Sequence, residues 1–494
     1  MTTRKATINR LATGVPGLDE ILGGGLPEFS FNLIAGPPGS GKTTLAHQLM
    51  FALATPERPA LYFTVLGEPP LKMLRYQQQF DFFDSEKVNV SIRFINLADV
   101  TATGDLANVL GRIVAEVEAH GPGAVFVDSF RSLLAGQGDD QGVMGLQPFI
   151  QRLGLLMTSW QATTFLIGEY FTEIDPNPVF TVADGLIWLR QSLQSNSVVR
   201  KMEIMKMRGQ QTLPGLHTFR ISAAGIRVFA PVSVAAPSEP STAPRTDVRL
   251  RMGVPELDQM MGGGLPRGYS LLVAGPSGSG KSILASSFLV EGARAGQTGV
   301  IAAFEQRSKA ARGRILADLI DADRVGVVET WAPDLSVDEI ARLLSTEIHR
   351  LKASRVVIDS LSGFELALAP TFRDDFRESL SRLVSSLSAT GASVLMTSEL
   401  EDRYTDLRFS PYGTAFMTDA IIVQRYIEVD SRLLRVLAVV KMRGSAHSNE
   451  LRLFHIDADG IKIGQMVPGR EGLLGGQPTR EQKADAPDMG VDDD

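Results

Sequence analysis

A long internal repeat constrains this chain more than any other feature. RLATGVPGLDEILGGGLP, starting at Arg10, returns as RLRMGVPELDQMMGGGLP, starting at Arg249, with twelve of eighteen positions identical. GPPGSGKTT from Gly36 then matches GPSGSGKSI from Gly275, VFVDS ending at Ser129 matches VVIDS ending at Ser360, and KMRG recurs at Lys206 and Lys441. A period of roughly 235 residues is too long for a stacked solenoid unit and long enough for each copy to bury its own core. Between the copies, PVSVAAPSEPSTAP from Pro231 has the composition of a linker stiffened toward polyproline II. The expected organisation is a first domain over residues 1–230, a linker over 231–247, a second domain over 248–466 and an acidic tail over 467–494.

Within each copy, short apolar runs alternate with longer amphipathic ones. In the first, FNLIA, ALYFTV, AVFVD and TTFLIG read as strands, while TTLAHQLMFALA and LANVLGRIVAEVEAH read as helices. The second repeats this with SLLVA, VIAAF, VVID and SVLMT as strands, a helix after Lys281, and ARLLSTEIHRL. Continuously apolar strands that alternate with helices predict a mainly parallel sheet covered on both faces. The last part of each copy, ADGLIWLR to KMRG and TDAIIVQR to KMRG, reads as strands in succession without helices. That predicts an antiparallel extension at one sheet edge.

The chemistry begins with G-x-x-x-x-G-K-[ST], present at residues 36–43 and 275–282. Each motif follows a strand and opens a helix, the context it requires. Its glycines let backbone N–H groups close around phosphate oxygens, so Gly36, Gly39, Ser40, Gly41 and Thr44 are candidate phosphate contacts, as are Gly275, Gly278, Ser279 and Gly280. Lys42 and Lys281 are expected to reach the β- and γ-phosphates, and Thr43 and Ser282 to hold Mg²⁺. Asp128 and Asp359 each end an apolar strand, where a carboxylate serves the same metal ion. ATP and Mg²⁺ are therefore the expected cofactors. Hydrolysis also needs a group to orient or deprotonate water. Glu305 ends strand VIAAF in the second copy, whereas the aligned end in the first is Leu66-Gly67, with Glu68 one residue beyond.

Charge narrows the partners. The chain carries 49 Lys and Arg against 56 Asp and Glu, a net charge of −7. Residues 467–494 hold seven acids and three bases and so supply −4 of it. That balance argues against a generally nucleic-acid-coating surface. There is no cysteine, hence no disulfide framework and no thiolate chemistry. The start, Met1 to Arg10, is basic and polar with no apolar stretch behind it, and no uninterrupted apolar run reaches about 18 residues. No secretory leader and no membrane span are expected, and a cytoplasmic location is.

The doubled phosphate loop, the GVPGLDEILGGGLP lead-in and the twin KMRG motifs together resemble the KaiC family of tandem RecA-like P-loop ATPases from bacterial clock systems. The similarity extends over about residues 8–480. It implies two RecA-like domains, a double-ring homohexamer and ATP held between neighbouring protomers. In that family the Lys and Arg of K-[ML]-R-G reach the next subunit's nucleotide; the matching positions are Lys206 with Arg208 and Lys441 with Arg443. A His shortly after the second motif is matched by His447, and Thr212 has the equivalent spacing in the first copy. An Arg supplied in trans neutralises phosphate charge and couples hydrolysis to assembly.

The departures are specific. The family carries a Glu-Glu pair after the second strand of each half; here the second copy reads Glu305-Gln306 and the first Leu66-Gly67. The family's autophosphorylated Ser-Thr pair falls on Ala415-Phe416, neither of which bears a hydroxyl, although Thr414 and Thr418 stand nearby. The autokinase activity is therefore not carried over. The C-terminal EGLLGGQPTRE resembles a pore-lining loop, followed by a short acidic tail where, or on a ring face, a protein partner is expected to dock. A nucleic-acid motor of the recombinase or helicase type is the rival of another class. Its pore loops should be basic, yet here they carry Asp139, Asp140, Asp374 and Asp375, then Glu169, Glu173 and Asp175; no nucleic acid is expected. A non-hydrolysing ATP-bound scaffold is the third reading. The leading one is a slow, regulatory or timing ATPase, with an autokinase of the family's type as runner-up.

Overall fold

The computed structural model describes residues 8–65, 70–101, 106–130, 142–171, 177–194, 197–231, 248–304, 314–329, 335–368, 376–400, 417–429, 431–466, 470–471 and 479–480. The chain forms two compact units, Met1–Pro231 and Val232–Asp494.

The first unit is built on a nine-stranded sheet. From one edge the strands run Gly225–Phe229, Leu216–Ser222, Ser197–Met207, Gly185–Gln194, Phe31–Gly36, Thr163–Glu169, Ala124–Asp128, Ala60–Thr64 and Ile92–Asn96. Every residue of Phe31–Gly36 is buried, because successive side chains enter opposite cores. Ile34 joins a cluster with Leu45, Leu49 and Phe165, while Leu33 and Ala35 join another with Ile113, Ile150 and Leu166. Two buried faces explain why the strand reads as a continuous apolar run and not as an alternation.

The second unit repeats the plan, with its nine strands in the order Val325–Glu329, Gly299–Ala303, Arg355–Asp359, Ser393–Glu399, Ser270–Gly275, Ala420–Val429, Arg432–Met442, Arg452–Asp457 and Gly460–Met466. In both units the strands expected from sequence lie at the centre, parallel to one another. The edge departs from expectation in one detail. Gly185–Gln194 and Ala420–Val429 still run parallel to the phosphate-loop strand, and the antiparallel part begins only with the next strand, which ends in KMRG. Strand Ile92–Asn96 and helices Pro70–Gln77 and Gly142–Ser159 are further elements. Among the described residues no helix is long and apolar enough to cross a membrane.

The shared lead-in makes a small clasp in each unit. Strand Arg10–Leu11 pairs with Leu26–Pro27, and Arg249–Leu250 with Leu265–Pro266. Gly23, Gly24 and Gly25 all have positive φ, as do Gly262, Gly263 and Gly264, which is why three glycines recur there. The Arg249 guanidinium donates to the carbonyls of Met261 and Gly264 at 2.9 and 3.1 Å, and Arg10 bonds to the Gly23 carbonyl.

Candidate nucleotide site

At the carboxyl end of Phe31–Gly36 the chain turns through the phosphate loop into helix Lys42–Leu53. Gly41, the residue before the helix, has φ 104° and no side chain caps its N-terminus. Gly280, before helix Lys281–Arg294, has φ 104° and is likewise uncapped. Free backbone N–H groups at a helix start form an anion site, reinforced by the helix dipole. The loop is also packed from behind: a Cβ at Gly41 would meet Ile221 Cδ1 at 2.8 Å, and one at Gly280 would meet Ile456 Cδ1 at 2.7 Å. Glycine is required there by conformation and by space.

The two lysines are drawn over their loops. Lys42 Nζ donates to the Pro37 carbonyl at 2.8 Å, and Lys281 Nζ to Gly275 and Pro276 at 2.8 and 2.7 Å. Burial pushes the Lys42 ammonium below its ordinary pKa, while Glu169 and Asp128 pull it back up. Ser40 and Ser279 are fully buried and their backbone N–H groups close the turn onto Pro37 and Pro276. The Ser279 hydroxyl donates to Gln424 at 3.0 Å. These serines support the loop from beneath.

Thr43 donates to Asp128 Oδ2 at 3.0 Å, so the hydroxyl and carboxylate expected to share a metal ion are adjacent. Ser282 and Asp359 line one cavity in the second unit, with Gly278, Gly280, Lys281 and Glu399. The donor set suits Mg²⁺, a hard cation that keeps waters and takes few protein oxygens beside phosphate. When bound, Mg²⁺ neutralises charge on the β- and γ-phosphates. Both aspartates precede a cis peptide bond, Asp128-Ser129 and Asp359-Ser360.

The copies differ beneath this shared frame. Asp128 also accepts from Tyr62 at 2.7 Å, and burial, the largest influence, raises its pKa against both hydroxyl donors. In the second unit the residue aligned with Tyr62 is Ile301, and Thr397 takes over, donating to Asp359 Oδ1 at 2.5 Å. Behind Tyr62, His47 is buried against its ring, with centroids 4.7 Å apart, and accepts from Gln77 Nε2 at 2.8 Å. Desolvation pushes His47 down to about 3, so it is neutral at physiological pH. The first cavity, about 470 Å³, runs from Lys42 and Thr43 past Tyr62 and His47 to Phe82. In the second unit the equivalent space is split into about 260 and 480 Å³, which share Ser282, Ile283 and Asp359.

Sequence reasoning counted Glu169 among loop acids that would repel phosphate. Glu169 instead ends its strand in register with Gly36, and Glu399 in register with Gly275; each lines its phosphate cavity. The signal was present, since strands Thr163–Glu169 and Ser393–Glu399 both end in Glu. Glu68 and Glu305 lie outside the described residues, as do Leu66, Gly67, Gln306, Asp139, Asp140, Glu173, Asp175, Asp374, Asp375, Thr414, Ala415 and Phe416.

Lys206, Arg208, Lys441, Arg443 and His447 are not among the residues lining the phosphate cavity of their own unit. The KMRG strands end beside the amino end of the phosphate-loop strand, opposite the loop. Met207 pairs with Gly185 and Gly185 with Asn32, at the start of the phosphate-loop strand. There Arg208 meets Asp184 at 3.0 Å and Arg443 meets Asp419 at 3.6 Å. Lys206 Nζ donates to the Thr181 carbonyl at 3.1 Å and Lys441 Nζ to Thr418 at 2.6 Å. Desolvation, then the neighbouring arginine, lowers both lysine pKa values. His447 is half-buried, in a segment where Ser448 N donates to the Met260 carbonyl at 2.8 Å.

Comparison with known proteins identifies the family. A family profile described as "ATPase: KaiC" matches residues 11–233 and 250–467. The chain is 28% identical over 489 residues to the circadian clock oscillator protein KaiC of Rippkaea orientalis, covering 96% of this chain and 92% of that one. It is 27% identical over 491 residues to the protein of that name from Prochlorococcus marinus strain SARG, covering 96% of each. It is also 27% identical over 492 residues to KaiC 1 of Synechocystis sp., covering 96% of this chain and 92% of that one. With two phosphate loops on two RecA-like sheets and a family match across both, the chain belongs to the KaiC ATPase family.

Proposed function

We propose that the chain is a Mg-ATP-dependent ATPase assembled as a double-ring homohexamer, and that it acts as a regulatory or timing switch through slow hydrolysis between protomers. The observation that carries this reading is the separation of loop and finger. Gly36 and Phe31 are opposite ends of one strand, about 17 Å apart at ~3.3 Å per residue. The phosphate loop opens from the first and the KMRG cations gather at the second. An arginine side chain is too short to bridge that span, so Arg208 and Arg443 suit a phosphate on another copy of the chain. A surface that presents a loop at one end and a finger at the other makes head-to-tail contacts, which form a ring where the rotation between copies closes. His447 follows the second finger and takes the same nucleotide.

Hydrolysis should be unequal between the copies. The second keeps Glu305 at its strand end, whereas the first offers Leu66-Gly67 and a displaced Glu68. Loss of a positioned base costs about 10²–10⁴ in rate. ATP held in the first copy would then serve assembly, by mass action on the folded ring. A protein partner docks on a ring face or at the C-terminal tail.

The test combines turnover with size. Glu305→Gln is expected to remove most ATPase activity and leave an ATP-dependent hexamer on a calibrated column, while Glu68→Gln changes turnover little. A protein that stays monomeric with saturating Mg-ATP overturns the ring. Silencing by Glu68→Gln alone inverts the asymmetry.

A further inference from the structure

The same small constellation occurs at the base of both fingers. Asp184 exchanges backbone hydrogen bonds with its surroundings on two sides: its N–H donates to the Phe31 carbonyl at 2.7 Å, and its carbonyl accepts from Arg208 N–H at 2.9 Å. Its carboxylate repeats the bridge, since Oδ2 accepts from Phe31 N–H at 3.1 Å and Oδ1 from the Arg208 guanidinium at 3.0 Å. Asp419 does likewise in the second unit. Its N–H donates to the Ser270 carbonyl and its carbonyl accepts from Arg443 N–H, both at 2.9 Å. Its Oδ2 accepts from the Ser270 N–H and hydroxyl at 3.0 Å each, and its Oδ1 faces Arg443 at 3.6 Å. Phe31 and Ser270 begin the two strands that end in the phosphate loops.

We infer that Asp184 and Asp419 are the positioning residues of the two cationic fingers, each tying its finger to the strand that carries its own phosphate loop. The inference rests on the trans reading of Arg208 and Arg443 proposed above. One carboxylate oxygen is committed to a backbone N–H of a fully buried strand, which fixes the aspartate. The other is left to hold a guanidinium whose side chain is more than half exposed in both units. An exposed ion pair stabilises the fold little. Its value is orientation: a long cationic side chain that would sample many rotamers is held in one sector, ready for the phosphate of the next protomer. The linkage also makes the finger sensitive to its own loop. A shift of the loop strand on nucleotide binding moves the anchored carboxylate with it, and the finger then reports that shift to the neighbour's site.

Asn at these positions separates the two roles. Its amide oxygen still accepts from the strand N–H, whereas the charge that attracts the arginine is gone. Asp419→Asn is therefore expected to keep the fold, the hexamer and two bound nucleotides per protomer, and to lower the second copy's kcat about twofold to fivefold with little change in KM.

The deciding experiment is complementation in mixed rings. Asp419→Asn protomers, with a sound loop and a poor finger, are mixed without nucleotide with Lys281→Ala protomers, which have a dead loop and a sound finger. ATP is then added and hydrolysis compared with each variant alone; first-copy turnover is common to all samples and subtracts. Recovery above the sum of the separate variants is expected, because a Lys281→Ala finger now serves an Asp419→Asn loop. Arg443→Ala mixed in the same way is the control. If Arg443→Ala is complemented and Asp419→Asn is not, Asp419 acts within its own protomer and the inference fails. If neither is complemented, the trans reading fails and the inference falls with it. If Asp419→Ala matches Arg443→Ala while Asp419→Asn has full activity, hydrogen bonding alone suffices and the charge has no positioning role.

Discussion

Asp128 lies at the meeting point of two opposing demands. Metal chemistry wants it ionised, yet burial raises its pKa against the Tyr62 and Thr43 hydroxyls and the Lys42 ammonium, which favour the charge. A carboxyl whose folded pKa stands above its unfolded value adds stability below the unfolded value, and that contribution is lost as pH rises through the folded one. Above that folded value, without nucleotide, the ionised carboxylate therefore weakens the first unit. Asp128→Asn should raise the first unit's melting temperature by about 2–4 °C at pH 7, the gain shrinking toward pH 4, and should weaken Mg-ATP binding there. A calorimetric scan across pH checks the first statement and equilibrium binding the second; a lowered melting temperature would mean that the Tyr62 bond outweighs desolvation. His47 belongs to the same scale but not to the same chemistry, because a neutral imidazole locked against Gln77 and Tyr62 offers no charge to phosphate.

At the scale of the element, the uncapped helix is what makes each site. Gly41→Ala or Gly280→Ala places a methyl against Ile221 or Ile456 and strains a left-handed residue by about 1–2 kcal/mol. Relaxing that clash must move the loop N–H groups, so nucleotide affinity in that copy should fall at least about tenfold, as read by titration with a fluorescent ATP analogue; unchanged affinity would show that the loop adapts. Much of this was legible in sequence. A strand, four loop residues, Gly-Lys-Thr and a helix is a local pattern whose geometry is set by a few φ angles. The central strands were legible too, because being buried on both faces leaves an unbroken apolar run. Helix Pro70–Gln77 was not read, since its eight residues, PLKMLRYQ, are too few to establish a helical period. Glu169 was seen but misassigned, and Glu399 was not singled out. Their role depends on which strands lie side by side, and neighbours more than a hundred residues apart are set by topology, not by local pattern. The pairing of Asp184 with both Phe31 and Arg208 was illegible for the same reason.

At the scale of the whole molecule, two complete phosphate sites on two separate sheets should bind independently. Lys42→Ala and Lys281→Ala are each expected to reduce bound nucleotide from two per protomer to one, measured by extraction and chromatography. Loss of both from either change would show that one unit's occupancy governs the other.

The placement of loop and finger at opposite ends of the phosphate-loop strand also has a genetic consequence. In a ring, every site is inherited from two chains, one giving the loop and its neighbour the finger. An allele that spoils both parts and is expressed alongside an equal dose of the normal one leaves only about a quarter of sites whole, although half of the chains are sound. Such an allele would be dominant, while one that prevents assembly would be recessive.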